Sequence, residues 1–404
     1  MSLEIVVIGG GAAGFFGAIA TAETNPRNRV TLLEAGKEPL AKVRISGGGR
    51  CNVTHHCFDV ASLVTYYPRG GKALRGAFTR FQPKDTIEWF KSRGVKLKTE
   101  ADGRMFPVTD NSETIVNCLD EAASSAGVHL MVNSPVASVG REGDKFLVEL
   151  KRGHRIGADR ILIATGSSPL GYRVARELGH SIESPVPSLF TFQIKDPRLK
   201  DLLGISVENV RVRLAGTKLE QTGPLLITHW GMSGPAILKL SAWGARVLHD
   251  NRYQMSLLVN WLADANPESS REMLLKTKTD YPKRKINAYC PFDLPKRLWQ
   301  SFVSYVGVKE ETPWAELSKN TLNRLIAELH QGEYKIQGKG VFKEEFVTCG
   351  GVNLKEVDFK TMESKICPGL YFAGEVLDID GVTGGFNFQS AWTTGYLAGR
   401  SMAI

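Results

Sequence analysis

The first fourteen residues constrain the fold more than any other part of the 404-residue chain. Leu3 to Ile8 is an apolar, β-branched run that reads as a buried strand. It leads into Gly9-Gly10-Gly11-Ala12-Ala13-Gly14, and an alanine-rich, helix-like stretch, Phe15 to Thr24, follows. The pattern is G-x-G-x-x-G between a strand and a helix. Gly9 allows a tight turn, Gly11 lets the backbone approach a pyrophosphate, and Gly14 permits close helix–strand packing, with Ala12 and Ala13 between them. The helix N-terminus supplies N–H groups and the positive end of a dipole. A second strand, Val30 to Leu33, ends in Glu34, 20 residues beyond Gly14, where a carboxylate can accept hydrogen bonds from a ribose. Glu34 followed by Ala35 leans towards FAD rather than NAD. The competing reading is a glycine-rich turn in some other α/β fold.

Composition narrows the class. Hydrophobic residues make up 42% and charged residues 23%, an ordinary globular mix that excludes disorder, collagen and a disulfide mini-scaffold. The length suggests two to three domains. Lys+Arg exceed Asp+Glu by 51 − 42 = 9, which suits an anionic ligand or an acidic surface. No apolar stretch is long enough to span a membrane. The chain enters a strand at once, with no basic leader or cleavage site. The six cysteines (51, 57, 118, 290, 349 and 367) include no C-x-x-C pair and read as reduced thiols of a cytoplasmic protein. No spacing of metal ligands is present, so no metal is expected.

Further glycine-rich segments follow. Lys42 to Asn52 reads KVRISGGGRCN, a flexible, donor-rich loop able to wrap an extended anionic cofactor. Lys42, Arg44, Ser46, Gly47, Gly48, Gly49 and Asn52 are its expected contacts. Residues 41–80 hold seven Lys/Arg and one Asp, a local +6. Cys51 and Cys57 invite a disulfide-reductase reading, but their five-residue separation would turn the thiols apart on a helix. A strand over Arg160 to Ala164 ends in Thr165-Gly166, a further pair of contacts. Upstream lie three strand-like pieces, HLMV, PVASV and KFLVEL, expected as a β-meander, with Val136 against the cofactor. Near the C-terminus the strand GLYFA runs into Gly374-Glu375. Gly384, Gly385, Phe386, Asn387 and Gln389 then open a helix whose N-terminus would face the flavin and favour its reduced anion.

IGGGAAG, KVRISGGGRCNVT, GRMFPVTDNS, LITHWGMSGPAIL and GLYFAGEVLDIDGVTGGFNFQ together resemble the YhiN/BaiN-type NAD(P)/FAD-dependent oxidoreductases, flavoproteins to which aminoacetone oxidase is related. The resemblance spans residue 3 to about 400. It implies an α/β fold: a Rossmann-like FAD-binding domain with an inserted β-barrel-like domain and a small helical domain. The expected boundaries are FAD domain 1–187, β-rich insert 188–261, helical domain 262–332, β-rich return 333–345 and FAD domain 346–404. Pro185-Val186-Pro187 marks the first break. Only one G-x-G-x-x-G follows a strand, so NAD(P)H would bind transiently at the flavin face or not at all.

The expected activity is FAD-dependent oxidoreduction of a small organic substrate by hydride transfer at flavin N5. Reduction of an activated C=C bond and amine oxidation with O₂ are both open. His229, in THWGMSGP, is the candidate acid/base, against a hydrogen-bonded structural histidine. Ser233 is expected to cap the next helix, with Pro235 in its first turn. Arg104 binds an anionic substrate or anchors a turn. Residues 271–300 carry eight Lys/Arg and three Asp/Glu, a local +5. A solvated helical face is the reading preferred there, and a nucleic-acid partner is not expected. A tRNA-linked flavoenzyme and a non-enzymatic flavin redox sensor are the remaining alternatives.

Overall fold

The computed structural model describes residues 2–340 and 347–404. The chain forms two compact units: Met1–Val186 with Val347–Ile404, and the contiguous stretch Pro187–Phe346. The ends of the expected segments 333–345 and 346–404 reach into 341–346, outside the described residues.

The first unit is built on a sheet whose parallel strands run in the order Leu370–Phe372, Arg160–Ile163, Glu4–Ile8, Arg29–Leu33 and His129–Met131. Glu4–Ile8 lies at its centre and pairs in parallel with both neighbours. Such a strand has neighbours on both edges and cover on both faces, which is why Ile5 to Ile8 is apolar without alternation. The chain leaves it for Arg29–Leu33 on one side and later returns to Arg160–Ile163 on the other. The turn after Ile8 therefore sits at the switch point of an open α/β sheet, where such folds take their ligands.

The helix Ala12–Thr24 is buried along its whole length from Ala13 to Ala22. It lies between the sheet and the C-terminal helix, Phe386–Met402. The two helices approach through small residues. A Cβ on Gly395 would come within 2.5 Å of the Ala13 carbonyl, and one on Gly399 within 2.3 Å of the Gly17 carbonyl. Chain start and chain end thus share one core.

The β-meander differs from expectation. Its strands are Val136–Glu142, Lys145–Leu150 and Arg155–Ala158, while His129–Met131 is the edge of the main sheet, in register with Thr31 to Leu33. A three-residue edge strand carries too little alternation to be told from a meander strand.

The second unit holds a seven-stranded antiparallel sheet. Its two edge strands, Gly332–Lys335 and Gly338–Lys339, are consecutive in the chain, so the sheet must curl back on itself. Ile336 and Gln337 donate their N–H groups to Met255 and Gln193 at 2.8 Å, linking the two sides. This is the barrel-like architecture expected. Helices Pro267–Asp280, Lys296–Tyr305 and Lys319–Gln331 occupy the helical stretch. Leu274, Trp299, Phe302 and Leu325 join Val212, Leu257 and Tyr334 of the sheet in one continuous core. Within that core Arg198, 4% exposed, pairs with Asp196 at 2.7 Å and Glu328 at 2.8 Å.

Candidate dinucleotide-binding site

The three motif glycines, Gly9, Gly11 and Gly14, have different neighbours. Gly9 has φ +112°, and a Cβ there would lie 2.5 Å from the Ala164 carbonyl. On Gly14 it would lie 1.9 Å from the Gly9 carbonyl. Both positions are demanded by packing within the protein. Around Gly11 there is nothing within 4 Å, so only an incoming group gives a reason for bare backbone there. The Glu34 carboxylate is fixed beside this turn, accepting from the N–H groups of Gly10 at 2.8 Å and Gly36 at 2.7 Å. Each carboxylate oxygen keeps capacity for a further donor, as a ribose hydroxyl would require. Ala12 is half-buried, Ala13 buried and Ala35 exposed.

The end of the neighbouring strand, Ala164-Thr165-Gly166, lies against the same turn. The Thr165 hydroxyl is buried with no partner among the described residues. Gly166, at φ +59°, has the Glu375 carboxylate 3.6 Å from its would-be Cβ, and Gly374, at φ +75°, abuts Ala13. Glu375 takes the Thr348 N–H at 2.9 Å and pairs with Lys42 at 2.6 Å. Lys42, Gly166 and Glu375, far apart in sequence, are brought together; so are Gly9, Ala13 and Gly374.

The segment around Lys42 is a helix, Ala41–Gly49, whose regular part ends at Ser46. Gly47, Gly48 and Gly49 then take φ of +58°, +70° and +84°. Gly47 fits against Phe106, whereas Gly48 and Gly49 have open space around them. Both arginines of the segment meet carboxylates, while the buried Arg44 Nε has no partner among the described residues. Arg44 is ion-paired with Glu113. Arg50 bonds Glu100 at 2.7 Å, reaches Asp110 at 3.5 Å, and stacks 4.0 Å above Phe106. Arg104 pairs with Glu100 and Asp102, so it anchors its turn.

The side chains of three residues expected as cofactor contacts are engaged within the protein. The Gln389 carbonyl accepts from Thr54 at 2.6 Å and Thr86 at 2.9 Å, and its amide donates to Thr393. Asn387 clamps both backbone groups of Gly381, at 2.8 and 2.9 Å. Asn52, oriented to satisfy its neighbours, accepts from the Gly385 N–H and donates to the Thr54 carbonyl. Their shared product is the start of the C-terminal helix, where Gly384 (φ +131°) and Gly385 (φ +91°) turn the chain. A Cβ on Gly385 would lie 2.6 Å from the Thr54 carbonyl. Val136 is buried at the first position of the meander.

Residues that sequence reasoning missed surround this helix start. The Phe386 ring is stacked by Tyr66 at 4.3 Å and by His55 at 4.6 Å. The Tyr67 hydroxyl donates to the Phe386 carbonyl at 2.7 Å, and burial pushes its pKa well up. Arg69 forms a two-pronged ion pair with the fully buried Asp380. No periodicity marks them; only the fold does.

His229 lies exposed in the hairpin turn between Glu220–Thr228 and Gly231–Ser233 of the second unit. It makes no hydrogen bond among the described residues. The glycines of its motif answer to packing: a Cβ on Gly231 would lie 2.5 Å from the Phe192 carbonyl, and one on Gly234 2.9 Å from the Pro224 carbonyl. Gly234, at φ +93°, is itself the cap of Pro235–Trp243. Ser233, expected as the cap, instead accepts from the Thr191 hydroxyl at 2.8 Å. Among the described residues no disulfide forms. Burial pushes the Cys51 thiol up to about 12, which is unlike a redox-active thiolate.

The unfilled backbone space at Gly11, the partnerless Thr165 hydroxyl and the poised Glu34 carboxylate lie along the C-terminal ends of three adjacent parallel strands. This donor set fits the adenosine-diphosphate half of FAD.

Comparison with known proteins agrees. The HI0933-like protein Rossmann domain family model matches residues 3–401. The chain is 29% identical over 410 residues to the 3-dehydro-bile acid delta(4,6)-reductase of Clostridium scindens, covering 99% of each chain. It is 30% identical over 416 residues to the ribosomal RNA dihydrouridine synthase of Haemophilus influenzae, covering 99% of this chain and 98% of the other. In fold it is similar to the 3-ketosteroid delta1-dehydrogenase of Sterolibacterium denitrificans, with TM-score 0.52, 12% identity and coverage of 100% and 99%. From its full-length match and its Rossmann-type site, the chain belongs to the HI0933-like family, as an FAD-dependent oxidoreductase.

Proposed function

We propose that this protein reduces a C=C bond conjugated to a carbonyl, drawing its electrons from NADH or NADPH. The observation that carries the reading is the pair of full-length relatives named for unlike substrates. A 3-oxo steroid with Δ4 and Δ6 double bonds and a uracil ring differ in size and polarity. Each nevertheless offers an alkene polarised by a carbonyl; one name states a reduction and the other a dihydro product.

Bound FAD supplies hydride chemistry at its N5. The chain's own groups bind and orient. The open backbone at Gly11 and the N-terminus of Ala12–Thr24 receive the pyrophosphate. Glu34 accepts the ribose hydroxyls. Lys42, Gly166 and Glu375 bound the next stretch of the cofactor, and Gly48 and Gly49 admit it from the exposed side. The N–H groups at the start of Phe386–Met402 would offer donors and a positive dipole end to the ring system of bound FAD. The substrate carbon that receives no hydride needs a proton. His229, exposed in its hairpin turn, is the acid/base candidate we retain for that transfer, and the His229→Ala variant tests it.

Anaerobic titration of the purified holoprotein tests the reading. NADH or NADPH should bleach the flavin absorbance near 450 nm (roughly). Adding a small enone, such as 2-cyclohexenone, should restore the colour without oxygen. Restoration by oxygen alone, with peroxide released from amines, would make the protein an oxidase instead.

A second reading places the alkene in an RNA uracil. The net charge of +9 favours it, because a polyanionic substrate gains more from a basic surface than a bile acid with a single carboxylate does.

A further inference from the structure

The loop joining Pro267–Asp280 to the next helical turn reads Tyr281-Pro282-Lys283-Arg284-Lys285-Ile286-Asn287-Ala288-Tyr289. In sequence it looks like a solvated charge run. The structure gathers it into a compact surface. The Tyr281 and Tyr289 rings meet with centroids 4.9 Å apart at 49°. The Arg284 guanidinium lies over both, 4.6 Å from one ring and 5.0 Å from the other. Tyr281, Lys283 and Arg284 are exposed, and Tyr289 half-buried.

This cluster does not hold a core together, yet its backbone is firmly fixed. The Ile286 N–H donates to the Thr312 carbonyl at 3.0 Å. Trp314 and Ala315 donate to the carbonyls of Arg284 and Pro282 at 2.8 and 2.9 Å. Ile286 and Trp314 are fully buried beneath it. The backbone that carries the two rings and the guanidinium is thus fixed before any ligand arrives. Lys285 is ion-paired with Glu311, but Lys283 and Lys276 extend the exposed positive charge, and residues 271–300 carry a net +5.

Exposed aromatic rings and a planar cation on a basic surface suit bases that have left a helix. Every base has a face to stack on a tyrosine or an arginine, and the lysines meet the phosphates. An acidic protein segment would use the charge but not the rings. We propose that Tyr281, Arg284 and Tyr289 form a stacking platform for unpaired RNA, the recognition surface for an RNA substrate. The proposal rests on the RNA-uracil reading above.

Fluorescence anisotropy with a labelled twelve-residue oligouridylate tests it on the full-length, FAD-loaded protein. The wild type should bind, and the Tyr281→Ala, Tyr289→Ala double variant should bind roughly 10- to 100-fold more weakly with an unchanged salt slope. The Tyr281→Phe, Tyr289→Phe pair should bind as the wild type does. Arg284→Ala should weaken binding and lower the salt slope by about one unit. All variants should reduce 2-cyclohexenone as the wild type does, which shows that they are folded. Absence of oligouridylate binding by the wild type overturns the proposal. So does equal affinity for polyglutamate, or undiminished binding in the alanine pair. Retained ring-dependent RNA binding without enone reduction would support the platform while removing the proposed chemistry.

Discussion

The motif glycines Gly9, Gly11 and Gly14 make different demands, and substitution separates them. Gly11→Ala adds a methyl group into space that no protein atom occupies. The apoprotein should stay within about 1 kcal/mol of the wild type, the scale of a lost helix cap, while FAD affinity falls about tenfold or more. Gly14→Ala sets the same methyl group 1.9 Å from a carbonyl oxygen and should prevent stable folding. Paired thermal melts and flavin-release assays distinguish the two. At His229 the expectation is loss of turnover by about 10²- to 10⁴-fold in His229→Ala, the usual worth of a positioned acid. FAD should remain bound, and unchanged turnover would rule the histidine out as the proton donor. The sequence made the glycines legible because strand, turn and helix are adjacent. It hid the partners of Arg44, Arg50 and Gln389, because Glu113, Glu100 and Thr86 are distant in sequence. A basic residue beside a glycine run reads as a ligand donor until its carboxylate is seen.

At the scale of elements, the seam between Ala12–Thr24 and Phe386–Met402 depends on Gly17, Gly395 and Gly399. Gly395→Val should overpack it and cost about 1–3 kcal/mol, lowering the melting temperature and loosening FAD together, since both helices begin at the site. An unshifted melt would mean that the helices can slide apart without penalty. The parallel strands were legible from their apolar runs, and the barrel-like insert only through the family resemblance. The edge strand His129–Met131 was not, because three residues carry no period. The ring cluster of Tyr281, Arg284 and Tyr289 escaped for a related reason. Spacings of three and five residues in an irregular loop imply no shared face. The Thr54, Thr86, Gln389 and Thr393 network was equally silent: hydrogen bonding among buried polar groups leaves no pattern in sequence.

At the scale of the molecule, pH acts through His180. Its ring is buried, bonded to Ser364 at 2.8 Å and to Glu356 at 3.1 Å. Burial holds its pKa below the ordinary histidine value, although the Glu356 carboxylate opposes this. The unfolded chain therefore takes up the proton first. Stability should be full above about pH 6.5, the ordinary histidine value, and should fall as pH drops from there through the lower folded value. Glu356 is itself held below the ordinary carboxylate range, so its contribution is lost at still lower pH. Denaturant melts of the wild type and His180→Asn between pH 5 and 8 check this; an equal slope in both would assign the loss elsewhere. The joining of the first and last helices also sets an order of assembly. The insert, contiguous from 187 to 346, can close its core while later residues are still being made. The central strand at 4–8 meanwhile waits through the whole of synthesis for the strand at 370–372 to complete its sheet and the helix at 386–402 to cover it. FAD capture therefore follows closure of the insert, and a ribosome stalled between the insert and the helix at 386–402 carries a chain with a finished insert and no flavin.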